Sequence, residues 1–241
     1  MSRTRPLSTL PLAAWRARVK EWHEVTREPG LTALLILESF MIFLIVPLTS
    51  MGLLPAFILS LLYLLLVLTI LTVTWHSPLA AVAVFIAFIL SPVGTVLWRE
   101  DPSPLTQWLS GGGRLLAISA LSIVVARVVF GPGRVTMHRV QGAIVLYLNF
   151  ALFFFIIYRM MEVLQPGSFS NLPHSGREYG SGAALLYFSF STLTTLGYGD
   201  ITPVHPLARS LANLEGVIGQ LYPATLLARM VSLEIAHRRQ P

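Results

Sequence analysis

The stretch Thr192-Leu193-Thr194-Thr195-Leu196-Gly197-Tyr198-Gly199-Asp200 holds the residue types in this chain best placed to do chemistry, and that chemistry is coordination rather than catalysis. An alkali cation sheds its water only where oxygens replace it at similar geometry, as rings of backbone carbonyls and a threonine hydroxyl can do. Successive carbonyls reach one axis only if alternate residues adopt backbone angles that most side chains resist, whereas glycine accepts positive φ without steric cost. Gly197 and Gly199 alternate with Leu196 and Tyr198 in this way. Thr195 would add its hydroxyl at the inner end, and Leu196 and Tyr198 would turn their side chains away from the ions. At extended rise, Thr195 to Gly199 cover about 12–15 Å, enough for a short queue of ions but not for a membrane.

Other elements must position this strip. Residues 182–194, with Ala183, Ala184, Leu185 and Leu186, favour a helix too short to span and so read as a re-entrant half-helix. Its C-terminal end would turn partial negative charge toward a cation. Around it the chain is 54% hydrophobic and 12% charged over 241 residues, with a mean hydropathy of +0.70, as in a polytopic membrane protein. Apolar segments at about 31–49, 53–75, 79–98, 114–131, 141–164 and 205–235 are long enough to cross. The predicted fold is therefore an all-α membrane protein of six transmembrane helices plus a re-entrant pore helix and selectivity filter. The absence of cysteine excludes disulfides, thiol catalysis and cysteine-ligated metal. The net charge of +6 is better explained by basic residues flanking spans than by nucleic-acid binding.

The stretch 192–200 resembles the potassium-channel signature T-x-T-T-x-G-Y-G-D at every defined position, and six fixed letters recur by chance only about once in 10^7–10^8 windows. The resemblance covers about residues 141–239, a two-span pore module. It implies a filter of Thr195, Leu196, Gly197, Tyr198 and Gly199, with potassium held by the backbone carbonyls of Thr195, Leu196, Gly197 and Tyr198 and by the Thr195 hydroxyl. It implies filter support from Tyr187, Phe188, Thr194 and Asp200, with the two aromatics forming a cuff and Tyr187 able to bond Asp200; plain membrane packing of both rings is the competing reading. Gly219, 21 residues after Tyr198, stands where the family's hinge glycine usually sits, and Pro223 should kink the same helix. The alternative for Gly219 is close helix packing. Ser191 occupies a position where family channels often carry a carboxylate, and Leu196 one where valine or isoleucine is common. With one filter motif per chain, a ring requires several chains, so a cyclic homotetramer is expected.

The expected organisation is a basic amphipathic N-terminal segment (1–30), a four-helix transmembrane domain (31–140) and the pore domain (141–241). The fourth span, 114–131, carries only Arg114 and Arg127, thirteen positions apart, which read as interfacial anchors rather than a voltage-sensing arginine repeat. Glu38, inside the first span, is either a functional ion or proton site or bonds to a neighbouring helix. Glu215 either bonds behind the filter or pore helix or faces the pore, and Gln220 is a second polar residue on that apolar helix. Arg229 and Glu234 could pair at the inner mouth. His76 reads as structural, and His174 and His205 at the outer mouth read as pH sensors or inert loop residues.

With both termini cytoplasmic, all but Arg99, Arg114, Arg159, Arg177 and Arg209 of the 17 basic residues face inward. A multi-pass protein of the cell (plasma or inner) membrane follows, surrounded by membrane lipid. No secretory signal is evident in the first 30 residues, and after the last span the sequence to Pro241 leaves no room for a cytosolic regulator-of-conductance domain. No catalytic residue, organic cofactor, nucleic acid or small-molecule substrate is expected. The function so read is passive, potassium-selective conduction. The alternatives are a non-conducting or stimulus-gated sensor that keeps the pore fold, or a weakly selective cation channel. A coupled transporter would need four degenerate pore loops in one chain, and an intramembrane enzyme a motif that accompanies neither Ser181 nor His205.

Overall fold

The computed structural model describes residues 30–54, 56–74, 77–101, 103–131, 136–173 and 178–238. The expected N-terminal amphipathic segment up to residue 29, His76, His174 and the Glu234 side chain lie outside the described residues. Seven helices follow in order among them: α1 (Gly30–Ser50), α2 (Ala56–Thr74), α3 (Pro78–Glu100), α4 (Pro104–Val129), α5 (Met137–Leu164), α6 (Glu178–Leu193) and α7 (Pro206–Arg238). Two short strands, β1 (Phe169–Ser170) and β2 (Thr202–Pro203), pair antiparallel and set Phe169 opposite Pro203. They clamp the loop after α5 to the chain leaving the glycine-rich strip.

Local chemistry explains these helices. Leucine-rich runs favour them, and proline stands in the first turn of α3 and α4, where its missing N–H is no loss. Ser103 and Thr106 form a capping box that starts α4. Hydroxyls within the apolar helices bond back to their own backbone, as from Thr74 to the Ile70 carbonyl (2.8 Å) and from Thr225 to Leu221 (2.8 Å), so they present no unpaired group to hydrocarbon. In α1 the residues Met41–Ile45 form a π-helical turn. Pro47 follows closely and has no N–H to return to the preceding turn.

Among the described residues, α1, α3, α4 and α5 are long and apolar enough to cross a membrane. Exposed Ile36, Phe43, Leu61, Leu79, Phe85 and Ile89 give the bundle the apolar exterior such helices need. Six crossings are not fixed by length and composition alone, since α2 holds a shorter apolar stretch, Leu64–Thr74, and α7, the expected last span, is not among the four. One core joins Leu31 and Leu34 of α1, Val84 of α3, Leu121 and Val125 of α4 and Val145 of α5. A second gathers Phe154, Tyr158, Phe169, Leu185 and Phe188 around α5 and α6.

The expected start of the fourth span at 114 is corrected. The helix begins at Pro104, because the capping box and proline initiate it upstream of Gly111–Gly113. Arg114 therefore sits well inside α4 and not at an end. It donates from Nε to Ser91 Oγ (3.2 Å) and from Nη2 to Thr95 Oγ1 (3.1 Å), both on α3. Arg127, in the last turn of α4, keeps the place of an end anchor.

Candidate functional site

The glycine-rich strip begins where α6 ends. The last helical residue is Leu193, and the next backbone groups fold back on the helix. Thr194 N donates to Phe190 O (2.9 Å), Thr195 N to Thr192 O (3.0 Å) and Gly197 N to Ser191 O (3.2 Å). The strip is thereby tied to the negative end of the α6 dipole. Positive φ occurs at Thr195 (59°), Gly197 (56°) and Gly199 (79°), and not at Leu196 or Tyr198. Such a left–right alternation is the backbone pattern by which successive carbonyls can be turned to one side of a chain, as coordination along an axis requires. Thr195 adopts it despite its β-branched side chain, at a cost of about 1–2 kcal/mol. Its hydroxyl accepts a hydrogen bond from Gln220 Nε2 of α7 (3.2 Å), which fixes the residue at that point.

The supports divide into two sets. Tyr187 stacks on Tyr198, with ring centroids 6.1 Å apart and planes 10° from parallel, and the Asp200 carboxylate lies within interaction range of the Tyr187 hydroxyl. Phe188, one residue on, faces the other way. It is buried edge-on against Tyr158 and Phe169 and braces α6 rather than the strip. The Thr194 hydroxyl bonds Phe190 O (2.6 Å). Leu196, Tyr198 and the rest of 194–200 are exposed on the single chain.

Behind the strip lies a polar network within the apolar interior. Glu215 of α7 is fully buried. Its Oε2 accepts from Tyr158 Oη of α5 (2.7 Å), and its Oε1 accepts from Ser189 Oγ of α6 (2.5 Å). Ser189 Oγ also approaches the Ala151 carbonyl (2.8 Å). One carboxylate thus binds three helices together, and of the two sequence readings for Glu215 the bond behind the pore helix is the one found.

Gly219 is where α7 meets α6. A Cβ built there would lie 1.8 Å from Leu193 O, so only glycine permits the approach. The same carbonyl accepts from Tyr147 Oη of α5 (3.2 Å), and Tyr147 stacks on Tyr222 of α7. The close-packing reading of Gly219 therefore has direct geometric support. α7 continues helically through Gly219 and Pro223 to Arg238.

Toward the other end of α7, Arg229 donates to the carbonyl of Phe130 and lies over its ring, 5.4 Å from the centroid. That contact joins α7 to the end of α4. His205 Nδ1 accepts from Leu207 N (3.2 Å) at the start of α7. Sequence reasoning gave no role to Tyr147, Tyr158, Ser189 or the Gln220–Thr195 bond. Among the described residues there is no cluster of three His, Cys, Asp or Glu side chains.

The family described as "Ion channel" matches residues 142–235. "Protein LctB" of Bacillus caldotenax is 33% identical over 87 residues, which are 35% of this chain and 64% of that protein. "Protein LctB" of Geobacillus stearothermophilus is 34% identical over 80 residues, 32% of this chain and 59% of its relative. "Inward rectifier potassium channel Kirbac3.1" of Paramagnetospirillum magnetotacticum is 33% identical over 72 residues, 30% of this chain and 20% of that one. The chain thus spans less than two thirds of each of these relatives. No solved structure gives a significant match.

Proposed function

We propose that this multi-pass membrane chain, whose residues 142–235 belong to the ion-channel family, is one subunit of a potassium-selective channel that conducts passively. The observation that carries the reading is the alternation of positive φ at Thr195, Gly197 and Gly199 in a strip hung from the end of a short apolar helix. In this reading potassium is held by the carbonyls of Thr195, Leu196, Gly197 and Tyr198 and by the Thr195 hydroxyl, with Gly199 closing the filter. Tyr187, Thr194 and Asp200 support it directly and Phe188 indirectly, through α6.

Four chains complete the ring, because one strip offers each ion only one side of a cage. The exposed strip and the exposed apolar face of α7, with Leu207, Leu214, Val217 and Leu221, favour such an assembly. Residues 141–241 then form the pore domain and 31–140 a four-helix domain without a voltage-sensing arginine series. Six crossings put both termini in the cytoplasm and the strip's mouth outside. Gly219 holds α7 against α6, so bending centres on Pro223, where a backbone hydrogen bond is missing. The Arg229–Phe130 contact gives the leading helices a handle on that lower half. Potassium is the transported ligand, and the mechanism calls on no organic cofactor and no catalytic side chain.

Ion flux in liposomes holding the purified protein tests this. Potassium flux above sodium flux, lost in Gly199→Asp, is the expected result. Equal fluxes would overturn selectivity, and flux that survives Gly199→Asp would place conduction elsewhere.

A further inference from the structure

Glu38 lies eight residues into α1, about 12 Å along the helix. It is 3% exposed, and neither carboxylate oxygen has a hydrogen-bond partner among the described residues. It lines a cavity of about 460 Å³ between α1, α2, α5 and α6 whose walls are otherwise mostly carbon, including Ile42, Leu66, Leu152, Phe155 and Leu186. The π-helical turn Met41–Ile45 contributes Met41, Ile42 and Ile45 to the same space, and such turns recur at binding sites. A buried carboxylate without a partner is strongly unfavourable, so an occupant that supplies one is worth identifying.

We propose that this cavity binds an amphipathic amine, with the ammonium group held by Glu38 and the alkyl chain laid along the apolar wall. A metal ion fits poorly, because hard cations need several oxygens. Among the described wall residues the one hydroxyl, of Thr49, already bonds the Ile45 and Val46 carbonyls (2.7 Å each). Arg159 also lines the cavity and makes contacts of its own, and Glu38 is the only carboxylate among the described wall residues. An ammonium needs few acceptors, and its chain accounts for the carbon surface. The occupant would rest on Gly182, Ala183 and Leu186 of α6, the helix that carries the strip.

The test is saturable binding of radiolabelled dodecylamine to the full-length protein in detergent, with dodecanol as the uncharged competitor. Binding is read, not flux, so the result stands apart from the channel reading. One site per chain is expected, not displaced by dodecanol. Glu38→Gln should weaken binding at least tenfold. Ala183→Trp, which fills the cavity from α6 and leaves Glu38 in place, should do the same. No saturable binding, equal displacement by dodecanol, or unchanged affinity in either variant would overturn the proposal.

Discussion

Glu215 and Glu38 are both carboxylates buried on apolar helices, 0% and 3% exposed, yet their surroundings differ completely. Glu215 receives hydrogen bonds from Tyr158 and Ser189 and joins α5, α6 and α7. Glu38 receives none among the described residues and faces a cavity. A buried carboxyl whose hydrogen bonds are met fixes one geometry, whereas one without partners keeps the cost of its burial. Behind the strip, the buried polar groups are closed upon one another. The leading helices keep an opening beside α6.

The largest expected effect is at the strip. Gly197→Ala would force an L side chain into φ of 56°, repeated in every subunit of a ring, and potassium flux should fall at least tenfold. Flux near wild type would mean that the alternation of φ is not what conducts. Next is Gly219→Val. Its side chain would overlap the Leu193 carbonyl, so thermal unfolding of the assembled protein should reveal a loss of about 3 kcal/mol. A neutral result would show that α7 stands further from α6 than described.

The two carboxylates should then respond with opposite signs. Glu215→Ala leaves the Tyr158 hydroxyl without its acceptor and Ser189 with only the Ala151 carbonyl, and should cost about 1–3 kcal/mol, while Tyr158→Phe should cost only about 1 kcal/mol. Glu38→Leu removes a buried carboxyl group that has no partner among the described residues and should raise the unfolding temperature, by about 1 kcal/mol or more in stability. Destabilisation by Glu38→Leu measured without added amine would show that Glu38 has a protein partner, and the comparison would fail. The smallest effect belongs to Tyr187→Phe. It keeps the stack on Tyr198 and loses only the link to Asp200, so stability should hold while inactivation changes.

Much of the site was legible because it is local. The alternation of Gly197 and Gly199 gave the backbone requirement directly, and the structure adds Thr195, which no sequence rule flags because threonine avoids positive φ. Gly219 was noticed for its position, but its reason, the approach to Leu193, spans 26 residues and two helices. The partners of Glu215 were out of reach for the same cause: Tyr158 and Ser189 lie 57 and 26 residues away. The start of α4 was legible in the capping signals at Ser103, Pro104 and Thr106, which the apolar segment beginning at 114 leaves out. For Glu38, sequence left ion site and helix bond level, and only the geometry favours the former kind of role.

The most direct measurement is the reversal potential of the purified protein in a planar bilayer with potassium on one side and sodium on the other. A strip of alternating φ predicts a reversal far from zero on the potassium-selective side, collapsing or vanishing with current in Gly197→Ala. A wild-type reversal at zero would contradict the account.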